Sequence, residues 1–205
     1  MASAVAPPEV LLDLDRVALP LSPAGLFGRR CPLEVELGVG KGRFLLEWAA
    51  ANPEVGLLGV ERARSYAVLA AGRAVRRGLA NVRLVHSTAE DVLFRCLAPG
   101  SVDAFHVYFA DPWPKKRHHK RRFFRPDNVA RLAELLRPGG LLRVKTDHRE
   151  YATVIAGVLA AERRLAPFPV EQAFATVPET HFEIKYAREG RGFTRLAFRR
   201  LGGDP

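Results

Sequence analysis

Apolar residues along this chain come in short runs, and between the runs their spacing changes from continuous to every third or fourth position. Leu33–Leu37 reads as a buried strand, closed by glycines at 38, 40 and 42. Phe44, Leu45, Trp48 and Ala49 then recur at helical spacing. The alternation repeats with a strand over Gly56–Glu61 and an Ala/Arg-rich helix over residues 63–77, with Val68, Ala71 and Val75 in register and Gly78 as its stop. A strand over Val82–His86 and a short helix around residues 89–96 follow. Val102–Phe109 is the most apolar stretch and is expected at the centre of the sheet. Arg131–Leu136 falls in a helix closed by Pro138-Gly139-Gly140, and Leu141–Thr146 is a fifth strand ending at Asp147. Tyr151, Val154, Ile155, Val158 and Leu159 give the clearest helical face. The pattern then weakens through Phe168–Phe174 and a polar loop near 176–191, and Gly192–Arg200 closes the chain as a strand.

Strands alternating with helices over short connections imply an α/β fold, a mostly parallel sheet with helices on both faces. Residues 1–30 are proline-rich and weakly patterned and are expected to form an arm packed against a single domain over 31–205. In such a sheet, ligands bind at the carboxyl ends of the strands. Glu36 and Gly38, Glu61, Asp111 and Asp147 all fall at those ends.

Charge narrows the choice of partner. Lys and Arg number 32 against 22 Asp and Glu, a net charge of +10, which favours a polyanionic partner. The two cysteines, Cys31 and Cys96, have neither disulfide-framework nor metal-ligand spacing, so no metal is expected. The N-terminus lacks the features of a signal peptide and no apolar run is long enough for a membrane span, so the expectation is a cytoplasmic protein with no membrane partner. The pattern leaves monomer or homodimer open.

The stretch Phe109–Phe123 concentrates the chemistry. It reads Phe-Ala-Asp-Pro-Trp-Pro-Lys-Lys-Arg-His-His-Lys-Arg-Arg-Phe, which puts a carboxylate, a flat aromatic surface and a basic block in one place. A nucleobase has hydrogen-bond donors at its edge and hangs from an anionic backbone, and this order suits it. Trp113, between two prolines, fits packing and base stacking equally.

A second constellation suits an adenosine cofactor. The run Glu36-Leu37-Gly38-Val39-Gly40-Lys41-Gly42 lets the backbone turn tightly and approach a ligand. Glu61, about twenty residues on, is placed to accept hydrogen bonds from ribose hydroxyls. A dinucleotide loop spaces its glycines differently to seat a pyrophosphate, which Glu36 would repel. A carboxylate before the loop suits the cationic sulfonium and amino group of S-adenosylmethionine.

Residues 34–42 and 59–61 resemble the first two motifs of class I methyltransferases. Phe109–Arg122 resembles the signature of the tRNA (guanine-N7)-methyltransferases, and Thr146-Asp147 with Tyr151 and Thr180-His181-Phe182-Glu183 are similar to that family's later motifs. The resemblance implies a Rossmann-like class I fold with an antiparallel closing strand, S-adenosyl-L-methionine as cofactor, and a guanine in the variable loop of tRNA as substrate. It implies Asp111 as the nominal catalytic residue, at the meeting of cofactor and guanine. Glu36, Gly38, Gly40 and Glu61 would hold the cofactor, with adenine read by Thr88, Glu90 or Asp91. Lys115, Asp147, Thr180, His181, Phe182 and Glu183 would hold the guanosine, and Arg117, His118, His119, Lys120, Arg121 and Arg122 the tRNA. Ala110 departs from the family's proline before Asp111. Asp111-Pro112-Trp113 also bears a partial likeness to the motif of exocyclic-amino methyltransferases, which act on RNA or DNA.

Overall fold

The computed structural model describes residues 10–202. Among these residues, eight strands form one sheet: β1 (Leu11–Leu12), β2 (Leu33–Leu37), β3 (Gly56–Glu61), β4 (Val82–His86), β5 (Val102–Tyr108), β6 (Leu136–Thr146), β7 (Leu165–Pro167) and β8 (Thr194–Arg200). Their spatial order is β1-β4-β3-β2-β5-β6-β8-β7. Pairings among β1 to β6 are parallel, whereas β8 runs antiparallel to β6 and β7. The helices are α1 (Pro23–Phe27), α2 (Arg43–Ala51), α3 (Arg64–Arg76), α4 (Ala89–Asp91), α5 (Pro126–Leu135), α6 (Arg149–Ala161), α7 (Val170–Phe174) and α8 (His181–Arg188).

Two apolar cores sandwich the sheet. One packs Val129, Leu132, Ile155 and Leu159 of α5 and α6 against Val35, Val60 and Phe105; the other packs Phe44, Leu45, Ala70, Ala74 and Phe174 of α2, α3 and α7 against the opposite face. Strand alternation separates the faces: Leu33, Val35 and Leu37 enter the first core, so Glu34 and Glu36 must point toward α2. Chain order climbs from β2 to β4 on one side and from β5 to β6 on the other. The reversal lies between β2 and β5, and the crevice at their carboxyl ends is where such sheets take ligands.

Within residues 10–30, β1 extends the sheet beside β4, and α1, capped by Ser22, packs Leu26 into the core; residues 1–9 lie outside the described region. Three expectations need correction. The α3 face is not Val68, Ala71 and Val75, for both valines are 48% exposed and the buried residues are Ala67, Ala70, Ala71 and Ala74. Small side chains win because α2 comes close: a Cβ on Gly42 would sit 2.9 Å from the Ala70 Cβ. Pro138-Gly139-Gly140 does not close a helix, since α5 ends at Leu135 and these residues bulge within β6, whose register jumps from Leu136 to Leu141. The polar loop near 176–191 contains α8, started by a capping box between Thr180 and Glu183.

Candidate active site at the strand ends

Glycine makes the turn after β2 possible. Gly38 and Gly40 have φ of 86° and 53°, which L side chains rarely adopt, and a Cβ on either would meet nothing within 4 Å. Open space over both residues leaves room for a ligand against the backbone. Glu61 fixes the turn from β3: its carboxylate accepts from the Gly40 and Ala63 N–H groups, each at 2.7 Å.

Glu36 lies beneath this turn. It is buried, and its Oε2 has no hydrogen-bond partner. Burial, and then the neighbouring Glu61, push its carboxyl well above the usual carboxylate range, against the pull of Lys145. The Leu45 backbone N–H answers part of the carboxyl, and a buried oxygen left without a partner is costly. It is the feature a cationic ligand would satisfy.

Around it a buried polar row crosses β2, β5 and β6. The His106 ring joins Glu34 Oε2 at 2.6 Å to the Tyr108 hydroxyl at 2.8 Å, and the Trp48 indole N–H donates to the same Glu34 oxygen. Lys145 Nζ donates to Glu183 Oε2 at 2.8 Å and lies 4.5 Å from the centre of the Tyr108 ring. Burial lowers the lysine pKa, and Glu183 opposes that shift. Glu183 also accepts from the Thr180 N–H and is itself buried, so it ties α8 to β6. Thr180 is buried as the helix cap.

A cavity of about 430 Å³ opens above Glu36. Gly38, Gly40, Thr180, His181 and Phe182 line it, whereas Glu61, Thr88 and Asp111 stand outside its lining. Lys41, Arg43, Tyr66, Tyr108, Phe109 and Lys185 also line it and were not singled out from the sequence. Tyr108 and Phe109 could have been, because they end the central strand. Tyr66 and Lys185 sit on helix surfaces and carried no signal. Phe182 is 48% exposed, its ring 5.3 Å from that of Phe109.

Beyond Phe109 the chain bends sharply. Phe109 and Trp113 have φ of 56° and 44°, unusual for bulky residues and worth roughly 1–3 kcal/mol of strain each. Ala110, Asp111 and Pro112 are held between these two strained points, with Asp111 exposed. Strain retained on both sides of one carboxylate indicates a turn shaped for use. Asp147, at the end of β6, accepts from Arg191 at 2.7 Å. It also adjoins the Tyr186 hydroxyl, whose pKa burial, and then Asp147, push up to about 12. Thr88 caps α4 and Asp91 is engaged by Ser87 and Arg95.

The basic block forms a 3-10 turn over Lys116–Arg121. Lys115, Arg117, Lys120 and Arg121 are exposed, and His118 and His119 half-buried. Arg122 does not join them. It is 4% exposed, donates to the Pro112 carbonyl and the Glu150 carboxylate, and stacks 4.8 Å over Tyr151, so it buttresses the Asp111 turn. Trp113 is half-buried between Arg121, 5.0 Å from its ring, and the edge of His118. Among the described residues no cluster of His, Cys, Asp and Glu could hold a metal ion, and no helix is long and apolar enough to cross a membrane.

Comparison with known proteins agrees with this geometry. A family model described as "Putative methyltransferase" matches residues 30–196. The chain is 40% identical over 194 residues to a tRNA (guanine-N(7)-)-methyltransferase of Mycobacterium avium, spanning 92% of this chain and 74% of that one. It is 38% identical to the enzyme of the same name from Nitrosococcus oceani, over 88% and 77% of the two chains. Among solved structures, the antibiotic-resistance methyltransferase Kmr superposes with a TM-score of 0.59 at 18% identity, covering 92% and 99%, a likeness of fold. This chain belongs to the tRNA (guanine-N7)-methyltransferase family.

Proposed function

We propose that this protein methylates N7 of a guanine in tRNA, by family resemblance in the variable loop, with S-adenosylmethionine as donor. The observation that carries the reading is the buried Glu36 carboxyl, with Oε2 left without a partner, under an open glycine turn at the switch point between β2 and β5. The residues fit this donor. Glu36 would take its cationic end, Gly38 and Gly40 would let it lie on the backbone, and the remaining lone pairs of Glu61 would accept its ribose hydroxyls. Bound there, S-adenosylmethionine supplies a methyl group on a cationic sulfur. The catalytic unit is assigned to residues 31–205, with 1–30 as an arm.

Guanine N7 carries its lone pair in the neutral base, so no proton must leave before attack. Asp111 therefore orients the guanine edge and opposes the positive charge that passes to the base, a task of positioning and electrostatics. Lys115, on the same turn, Asp147 and the exposed His181 and Phe182 would hold the nucleoside. Thr180 and Glu183 support that segment from below, and Arg117, Lys120 and Arg121 would face the backbone.

Incubation with labelled S-adenosylmethionine and unmodified tRNA, followed by digestion, should yield labelled 7-methylguanosine. Label on an exocyclic amino group, or none on RNA, would overturn the reading. Asp111→Ala should cut turnover severely while S-adenosylhomocysteine binds nearly as before, and turnover of the parent should stay nearly flat from pH 6 to 8. A steep rise within that window would indicate general-base catalysis instead.

A further inference from the structure

A second basic surface, separate from the turn after Asp111, lies on α2, α3 and the turn before α2. Arg43, Arg73, Arg76 and Arg77 surround a shallow depression with Leu46, Glu47 and His181, and Lys41 adjoins it through its carbonyl, which accepts from Arg73 at 2.7 Å. Four arginines and one carboxylate line it, and Glu47 is taken by Arg77 at 3.0 Å. Arg43 donates to the Glu179 carbonyl, and no hydrogen bond or ion pair engages the Arg76 guanidinium among the described residues. The depression shares Arg43 and His181 with the lining of the cavity, so the two are continuous.

Ordinary helix stabilisation explains part of this pattern and not the rest. Arg73 and Arg76 occupy the last turn of α3, where cations favour the helix dipole. Arg43 is the first residue of α2, whose first turn contains no acid, and Lys41 precedes it. At a helix start the dipole opposes positive charge. Arg43 and Lys41 sit where the fold gains least from a cation, and the patch is felt locally: after burial, Arg43, Arg73 and Lys41 are what lower the His181 pKa. Arg73, Arg76 and Arg77 project from one side of α3 at i, i+3 and i+4, a spacing that presents neighbouring charges to one polyanion.

We propose that this α2–α3 face is a second docking surface for the tRNA sugar-phosphate backbone, distinct from the basic turn after Asp111. It holds the RNA on the cavity side opposite that turn, so the target guanine enters between two anchored stretches of backbone. The inference rests on the tRNA reading above.

The test measures binding of unmodified tRNA to the full chain across a salt series, beside calorimetry with S-adenosylhomocysteine. Arg73→Gln/Arg76→Gln should flatten the logarithmic salt slope by about 1.4–1.8 units, the value for two phosphates, and weaken tRNA roughly tenfold or more at 0.15 M salt. Cofactor-product affinity should stay near that of the parent, and melting should fall only by the small share that the Arg73 bond to Lys41 and the two helix-end charges contribute. A double variant with the parental slope, while the parent binds and methylates tRNA, overturns the inference alone. A parent that neither binds nor methylates tRNA overturns the functional reading and the inference with it. If the double variant loses product affinity through the Arg73 contact to Lys41, Arg76→Gln alone decides: it should flatten the slope by about 0.7–0.9 units, and an unchanged slope overturns the proposal.

Discussion

Glu36 shows how a single residue can be set against the fold that contains it. Its carboxyl is buried without a partner for Oε2 and titrates well above its ordinary 4.5. Between 4.5 and that raised value the folded chain binds more protons at this site than the unfolded chain, so stability falls as pH rises through the window. Glu36→Gln keeps the shape and removes the ionisation. It should leave melting unchanged below about pH 4.5 and raise it progressively above, by about 2–4 °C for each 1 kcal/mol recovered. The same variant should weaken S-adenosylhomocysteine at least tenfold, because its amino group loses a charged acceptor. Melting curves from pH 4.5 to 8 check the first half. A constant shift at every pH would mean that the carboxyl is not held protonated. Glu36 and Glu61 were legible in the sequence as acids at strand ends. The contrast between them was not: Glu61 holds two backbone N–H groups of the turn, and Glu36 is left with an unpaired oxygen.

At the scale of elements, the strands were the most legible part of the chain. Interior strands of a parallel sheet are buried on both faces and read as apolar runs, which is why β2, β3 and β4 fall on the expected residues. The buried face of a helix was legible where a large apolar stripe meets the core, as on α6, whereas α3 was legible as a helix but not in its face. The buried face of α3 is built from alanines, and at Ala70 the turn before α2 comes close. The buried residues of α8 are Glu183 and Tyr186, and the charge of Glu183 is answered by Lys145, 38 residues earlier. No local pattern could announce that pairing. Because the Thr180 hydroxyl accepts from the Glu183 N–H, Thr180→Ala should cost about 1 kcal/mol and lower melting by about 2–4 °C. Replacement by serine should restore most of the loss. Failure of serine to do so would show that the threonine methyl group, and not the cap, matters at the cavity wall.

At the scale of the whole molecule, the net charge of +10 includes two clusters of cations near the cavity. Exposed cations gather on the turn after Asp111 and on the α2–α3 face, and the cavity lining reaches both Arg43 on α2 and Phe109, two residues before Asp111. The resemblance implied Arg117 to Arg122 as one tRNA-facing block, yet folding divides its arginines and lysine. Arg117, Lys120 and Arg121 remain exposed, whereas Arg122 turns inward to Pro112, Glu150 and Tyr151. These two situations respond differently to substitution. Arg117→Ala/Lys120→Ala removes charge that water and counterions already solvate, so melting should change little while the tRNA salt slope flattens by about 1.4–1.8 units. Arg122→Ala leaves the Pro112 carbonyl and Glu150 without their donor and loosens the turn between the two strained residues. It should lower melting and turnover, with the salt slope of tRNA binding kept near that of the parent. A flattened slope in Arg122→Ala with unchanged melting would show that the guanidinium swings out to meet phosphate, and that the buttress is not its role.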